Sequence, residues 1–138
     1  MIKISKKADY AIVALSHLVY SGEPVSAKKI AEFYHFPSPM VSKVMKELAQ
    51  GNIIEGTRGV NGGYKLNMRP DQITLGYILD IMDGPSEITE CCSDVNICPA
   101  SKECLVKYGL NKVQRKIRML FDNTTLKELI NQKNIGEL

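Results

Sequence analysis

The apolar residues Ala11, Ala14, Leu15, Leu18 and Val19 recur at helical spacing and predict a helix with one buried face from Ser5 to Tyr20. Ser21-Gly22-Glu23-Pro24 ends it. Ser26 is placed to cap a second helix with Ile30, Ala31 and Tyr34 inside, broken at His35-Phe36-Pro37. Ser38 caps a third helix with Pro39 at its first position, and Val41, Val44, Met45 and Leu48 form its inner stripe up to Gly51-Asn52. Two short helices joined by a tight break have the form of a helix-turn-helix. Off the apolar stripe of the third helix lie Ser38, Met40, Ser42, Lys43 and Lys46, which such a reading turns toward DNA.

Residues 53–66 alternate at both ends around the glycine-rich centre Gly59-Val60-Asn61-Gly62-Gly63, as the two strands of a hairpin do. A hairpin directly behind a recognition helix is a wing. Arg58 and Gly59 at its tip, with Tyr64 and Lys65 on the returning strand, are the candidate contacts to the phosphate backbone and minor groove. Thr74 begins a fourth helix through Ile78, Leu79, Ile81 and Met82, stopped at Asp83-Gly84-Pro85. Farther on, Val106, Leu110, Val113, Ile117 and Leu120 are separated by four, three, four and three residues, a heptad seam that seeks a partner helix. Lys107, Lys112, Arg115, Lys116 and Arg118 make its basic outer face. Thr124 is expected to cap a short final helix with Glu128 in its first turn.

Between the fourth helix and the seam lie all four cysteines, Cys91, Cys92, Cys98 and Cys104. The spacing reads C-x5-C-x5-C from Cys92, or C-x6-C-x5-C from Cys91. Soft thiolates converging from one short loop suit zinc, copper(I) or an iron-sulfur cluster, and Pro99 stiffens the loop behind Cys98. Buried free thiols or two disulfides are the competing readings. Lys3, Lys6, Lys7 and Asp9 interrupt any apolar export signal, which points to a reducing cytoplasm and against disulfides.

At 138 residues and 44% hydrophobic the chain can bury one core, and no apolar run approaches the roughly 20 residues that span a bilayer, so no membrane partner is expected. A net charge of +3 permits nucleic-acid binding without arguing for it. The expected class is mainly α, with residues 1–83 a winged helix-turn-helix DNA-binding domain and 84–104 a cluster-binding cysteine loop. Residues 105–138 then form a long C-terminal dimerisation helix and a short final helix. A zinc-stabilised interaction protein is the rival of another class. An electron carrier would not need the wing. A thiol enzyme would need a base, and His17 and His35 lie far from the cysteines in sequence, in the DNA-binding half, as structural residues.

The opening Ile4-Ser5-Lys6-Lys7-Ala8-Asp9-Tyr10-Ala11, the wing Arg58-Gly59-Val60-Asn61-Gly62-Gly63-Tyr64, the stretch Asp83-Gly84-Pro85 and the cysteine loop together resemble the bacterial Rrf2 winged-helix regulators over nearly the whole chain. Val41-Ser42-Lys43-Val44 and Ile88-Thr89-Glu90-Cys91 look most like regulators of Suf iron-sulfur assembly genes. The resemblance implies a homodimer with crossed long helices, two winged modules on a palindromic double-stranded operator, and one [2Fe-2S] or [4Fe-4S] cluster per subunit that tunes a repressor. A nitric-oxide-responsive or iron-responsive repressor is the alternative within the family. The family's first thiolate falls on Cys91 or Cys92 according to the direction of reading. The histidine of IscR-type members is replaced here by Lys107, whereas the aspartate that NsrR-type members supply from the first helix of the other subunit matches Asp9.

Overall fold

The first two helices start where a short hydroxyl side chain can satisfy an orphan N–H. Ser5 Oγ accepts from Ala8 N at 3.0 Å to open α1 (Lys6–Tyr20), and Ser26 Oγ accepts from Lys29 N at 3.2 Å to open α2 (Ala27–Tyr34). The computed structural model describes residues 3–89 and 98–131. His35 closes α2 in the left-handed conformation, φ 57°, and its neighbour Phe36 donates back to Ala31 O at 2.9 Å, which makes the sharp corner of a helix-turn-helix. α3 (Ser38–Gln50) begins one residue earlier than expected. Pro37 holds the cap position without a side-chain bond, and its carbonyl accepts from Met40 N and Val41 N at 3.1 Å. Proline fixes the approach angle here, so Ser38 becomes the first helical residue rather than the cap.

β1 (Ile54–Thr57) and β2 (Gly63–Leu66) pair antiparallel in the register Ile54↔Leu66 to Thr57↔Gly63. The hairpin has a third attachment that the sequence did not disclose: Val25, between α1 and α2, exchanges two backbone hydrogen bonds with Tyr64 at 2.9 and 2.8 Å. A Cβ on Gly63 would lie 2.6 Å from the Val25 carbonyl carbon, so glycine is what lets the strand approach that closely. α4 (Leu75–Asp83) is capped by Thr74, whose Oγ1 accepts from Tyr77 N at 3.2 Å.

The apolar stripes of α1 to α4 meet in one core that includes Leu15, Ile30, Val44, Met45, Leu48, Ile53, Ile73 and Ile78. α5 (Lys107–Asn123) leans on α4 and buries none of its residues completely. α6 (Leu126–Asn131) then returns to the first region: Leu126 is fully buried in the core, and its N–H donates to Ile73 O at 2.8 Å. Its cap is Thr125, one residue past the expected Thr124. Thr125 N donates to Glu128 Oε2 at 2.8 Å and Glu128 N to Thr125 Oγ1 at 3.2 Å, a reciprocal capping box. Thr124 instead donates its hydroxyl to Leu120 O at the end of α5.

Candidate nucleic-acid interface and cysteine segment

Burial of Val41, Val44, Met45 and Leu48 fixes which side of α3 faces outward. Ser38, Lys43 and Lys46 are exposed, while Met40 and Ser42 are half-buried at the edge of the stripe. The inner flank is tied to α1, where the Lys7 ammonium approaches Glu47 Oε2 at 3.0 Å as an ion pair rather than a directed hydrogen bond. The far end of α3 is held from α4, with Tyr77 Oη donating to Gly51 O at 2.6 Å. A recognition helix must present its outward face at a fixed angle, and these attachments set that angle.

Arg58 is exposed at the wing, beside Gly59 with φ 113° and Val60, whose side chain is fully in solvent. Only glycine takes that backbone conformation without strain, and the tip can therefore lie flat against a phosphate backbone. Tyr64 and Lys65 are placed differently from Arg58. Tyr64 is half-buried, packs against the core and anchors the wing root through Val25. Lys65 forms a 3.0 Å ion pair with Glu55 across the hairpin.

Of the cysteines, Cys91 and Cys92 lie outside the described residues, while Cys98 and Cys104 are half-buried free thiols. Cys98 O accepts from Ser101 N at 3.0 Å and Ala100 O from Glu103 N at 3.1 Å, so consecutive turns carry the chain from Cys98 to Cys104 and straight into α5. Asp9 stands exposed in the first turn of α1, and its carboxylate has no partner among the described residues. Within one chain it is not gathered with Cys98 and Cys104, and no group of three or more metal-binding side chains forms among the described residues. His17 is engaged elsewhere, its Nδ1 3.1 Å from Tyr34 Oη and its ring edge-on to Phe33.

The basic outer face read for α5 loses one member. Arg118 turns inward, its guanidinium forking onto both oxygens of Asp80 at 2.7 and 2.8 Å while Nε donates to Asp122 at 2.8 Å. Those carboxylates, Asp80 foremost, raise its pKa well above the usual arginine range. Gln114, one turn earlier, bonds the backbone at Ser86 and at Ile88. Neither attachment has a periodic signature. The fork needs one acidic residue thirty-eight positions away, and nothing in the apolar pattern marks Asp80 for it.

The chain over residues 4–132 matches the model of Rrf2, described as an iron-dependent transcriptional regulator. The chain belongs to the Rrf2 family. The NsrR transcriptional regulator of Bacillus licheniformis is 31% identical over 141 residues, covering 99% of each chain. Among solved structures, this Rrf2 regulator superposes on CymR, the global cysteine regulator of B. subtilis, with a TM-score of 0.73 at 27% identity, over 95% of this chain and 98% of that one. IscR of T. potens shares the fold, with a TM-score of 0.75 at 24% identity over 99% and 92% of the two chains. The Rrf2 protein is therefore a winged-helix DNA-binding transcription regulator and not an enzyme. No described helix is long and apolar enough to cross a membrane.

Proposed function

We propose that this chain is a homodimeric, iron-sulfur cluster-sensing repressor, with genes of Suf-type cluster assembly as its targets. One observation carries the reading. The turns bearing Cys98 and Cys104 run directly into α5, whose Val113 and Leu120 stay exposed in the single chain although they sit on the apolar seam, with Met119 exposed beside them. A second copy of the seam would cover them, and a change in the cysteine segment would then act on the helix that spaces two DNA-reading modules.

The donor set fits a cluster. Cys98 and Cys104 are unpaired thiols, accessible enough to be loaded, and soft thiolates are the ligands that iron-sulfur clusters select. Cys91 or Cys92 supplies the third thiolate, and the uncommitted Asp9 of the other subunit is the candidate oxygen ligand. When bound, the cluster supplies iron and sulfide that oxidant, nitric oxide or iron shortage can dismantle. The protein's own part is to hold the thiolates on a segment joined to α5, and to present Ser38, Met40, Ser42, Lys43, Lys46 and Arg58 to a palindromic operator.

Protein purified without oxygen should contain iron and acid-labile sulfide, absorb in the visible range, and change its operator affinity when the cluster is removed. Zinc without sulfide would instead make the thiolates a structural clip and sink the sensor reading.

A further inference from the structure

α5 buries no residue completely, and beside the packing of Phe121 against the core its directed attachments to the rest of its own chain are polar. Among the described residues, two side chains one turn apart on the same face of α5 make hydrogen bonds to other elements, Gln114 and Arg118. Gln114 spends both ends of its carboxamide on one stretch of backbone: Nε2 donates to Ser86 O, and Oε1 accepts from Ile88 N at 2.8 Å. A primary amide carries the donor and the acceptor of a peptide group, so it can pair with an extended segment as a strand would; a carboxylate or an ammonium can satisfy only one of the two groups.

The position of this clasp gives it significance. Residues 86–88 lead into the cysteine segment, whose other end continues into α5 after Cys104. α5 therefore grips both ends of the segment, one by covalent continuity and one through Gln114. Four residues on, the Arg118 fork fixes α5 to Asp80 of α4, and Tyr77 of α4 donates to Gly51 O at the end of the recognition helix. Polar contacts, joined through the bodies of α5 and α4, thus link the arm of the cysteine segment to the C-cap of α3.

We propose that Gln114 is the positioning residue that couples the cysteine segment to the recognition helix, by making residues 86–88 move with α5. The inference rests on the cluster-sensing reading for its signal but not for the clasp. The test therefore has two readouts, hydrogen exchange of the Ile88 amide in cluster-free protein and the ratio of operator affinities with and without the cluster. Gln114→Leu keeps the bulk and removes both hydrogen bonds; it should speed Ile88 exchange roughly tenfold. It should also bring the affinity ratio toward one, while iron content and cluster-free operator affinity stay within about twofold of wild type. Tyr77→Phe, which deletes only a hydroxyl at the far end of the path, should lower the ratio with Ile88 exchange unchanged.

An unprotected Ile88 amide in the wild type would remove the clasp. A wild-type affinity ratio in both variants would remove the coupling even if the clasp is present. A wild-type protein that itself shows no ratio would overturn the sensor function and the coupling together, and this is distinguishable because the loss then precedes any substitution.

Discussion

α3 and α5 carry apolar stripes of the same kind, and the fold treats them oppositely. Leu48 on α3 is fully buried within its own chain, whereas Leu120 on α5 is 63% exposed. α3 is fixed by burial on one side and left polar on the other, which suits an element that must present side chains to a groove without moving. α5 is fixed to its own chain by a fork, an amide and the half-buried Phe121, and Val113 and Leu120 of its apolar stripe are left exposed. Directional polar contacts hold a helix at one orientation, yet each contributes only about 1 kcal/mol, so the assembly is free to be rearranged at modest cost. The reading half is built for a fixed geometry, whereas α5, in the proposed dimer, takes a geometry that a partner completes.

Truncating the same residue type in both helices should have opposite consequences. Leu48→Ala should cost about 2–5 kcal/mol of unfolding free energy at every protein concentration, since it leaves a cavity in a closed core. Leu120→Ala should cost within about 0.5 kcal/mol in dilute protein. Its effect should appear only as a lower midpoint in concentrated samples, where self-association adds to stability. Urea unfolding across a hundredfold range of concentration checks both. If Leu120→Ala costs as much as Leu48→Ala in dilute solution, α5 is packed inside its own chain and the contrast fails.

A smaller effect is expected at the fork. Arg118 and Asp80 are each about one-third exposed, so solvent screens the pair, and Arg118→Ala should lower stability by about 1 kcal/mol. Arg118→Lys should recover less than half of that, because an ammonium cannot address both oxygens of Asp80 at once. Thermal melts at low and high salt separate the outcomes. Full rescue by lysine would mean that charge alone, and not the fork, aligns α5 on α4.

What the chain's own pattern makes legible follows the same division. α1 to α4 were legible because Val41, Val44, Met45 and Leu48 and their counterparts repeat with the helical period, and burial obeys that period. The wing was legible from its glycines and alternation. The capping residues slipped by one, with Pro37 for Ser38 and Thr125 for Thr124, since neighbouring residues compete for a cap and only the path of the chain decides between them. In sequence Arg118 reads as one more member of the basic outer face because its partner lies on another element. Tyr77, Gln114 and Val25 were illegible for the same reason: each makes a contact set by tertiary approach, which no local pattern encodes. Of the candidate site, the outward face of α3 and the exposed Arg58 could be read directly, whereas Lys65 took its Glu55 partner from strand register. Cys91 and Cys92, on which the choice of third thiolate depends, lie outside the described residues.

The smallest effect draws the boundary between the two regions on the DNA itself. Lys46 on α3 is exposed on the face opposite the core, Lys65 on the wing is already paired with Glu55, and Lys116 is exposed on α5. Each phosphate neutralised by a protein cation contributes about 0.9 to the slope of log affinity against log salt. Lys46→Ala should therefore lower the slope by about that amount. Lys65→Ala should lower it by less, because binding DNA must first loosen the Glu55 pair or tolerate a carboxylate near phosphate. Lys116→Ala should leave the slope unchanged while the dimer stays intact. Equal losses for Lys46→Ala and Lys116→Ala would put α5 on the phosphate backbone, and the helix that completes the assembly would then also be reading DNA.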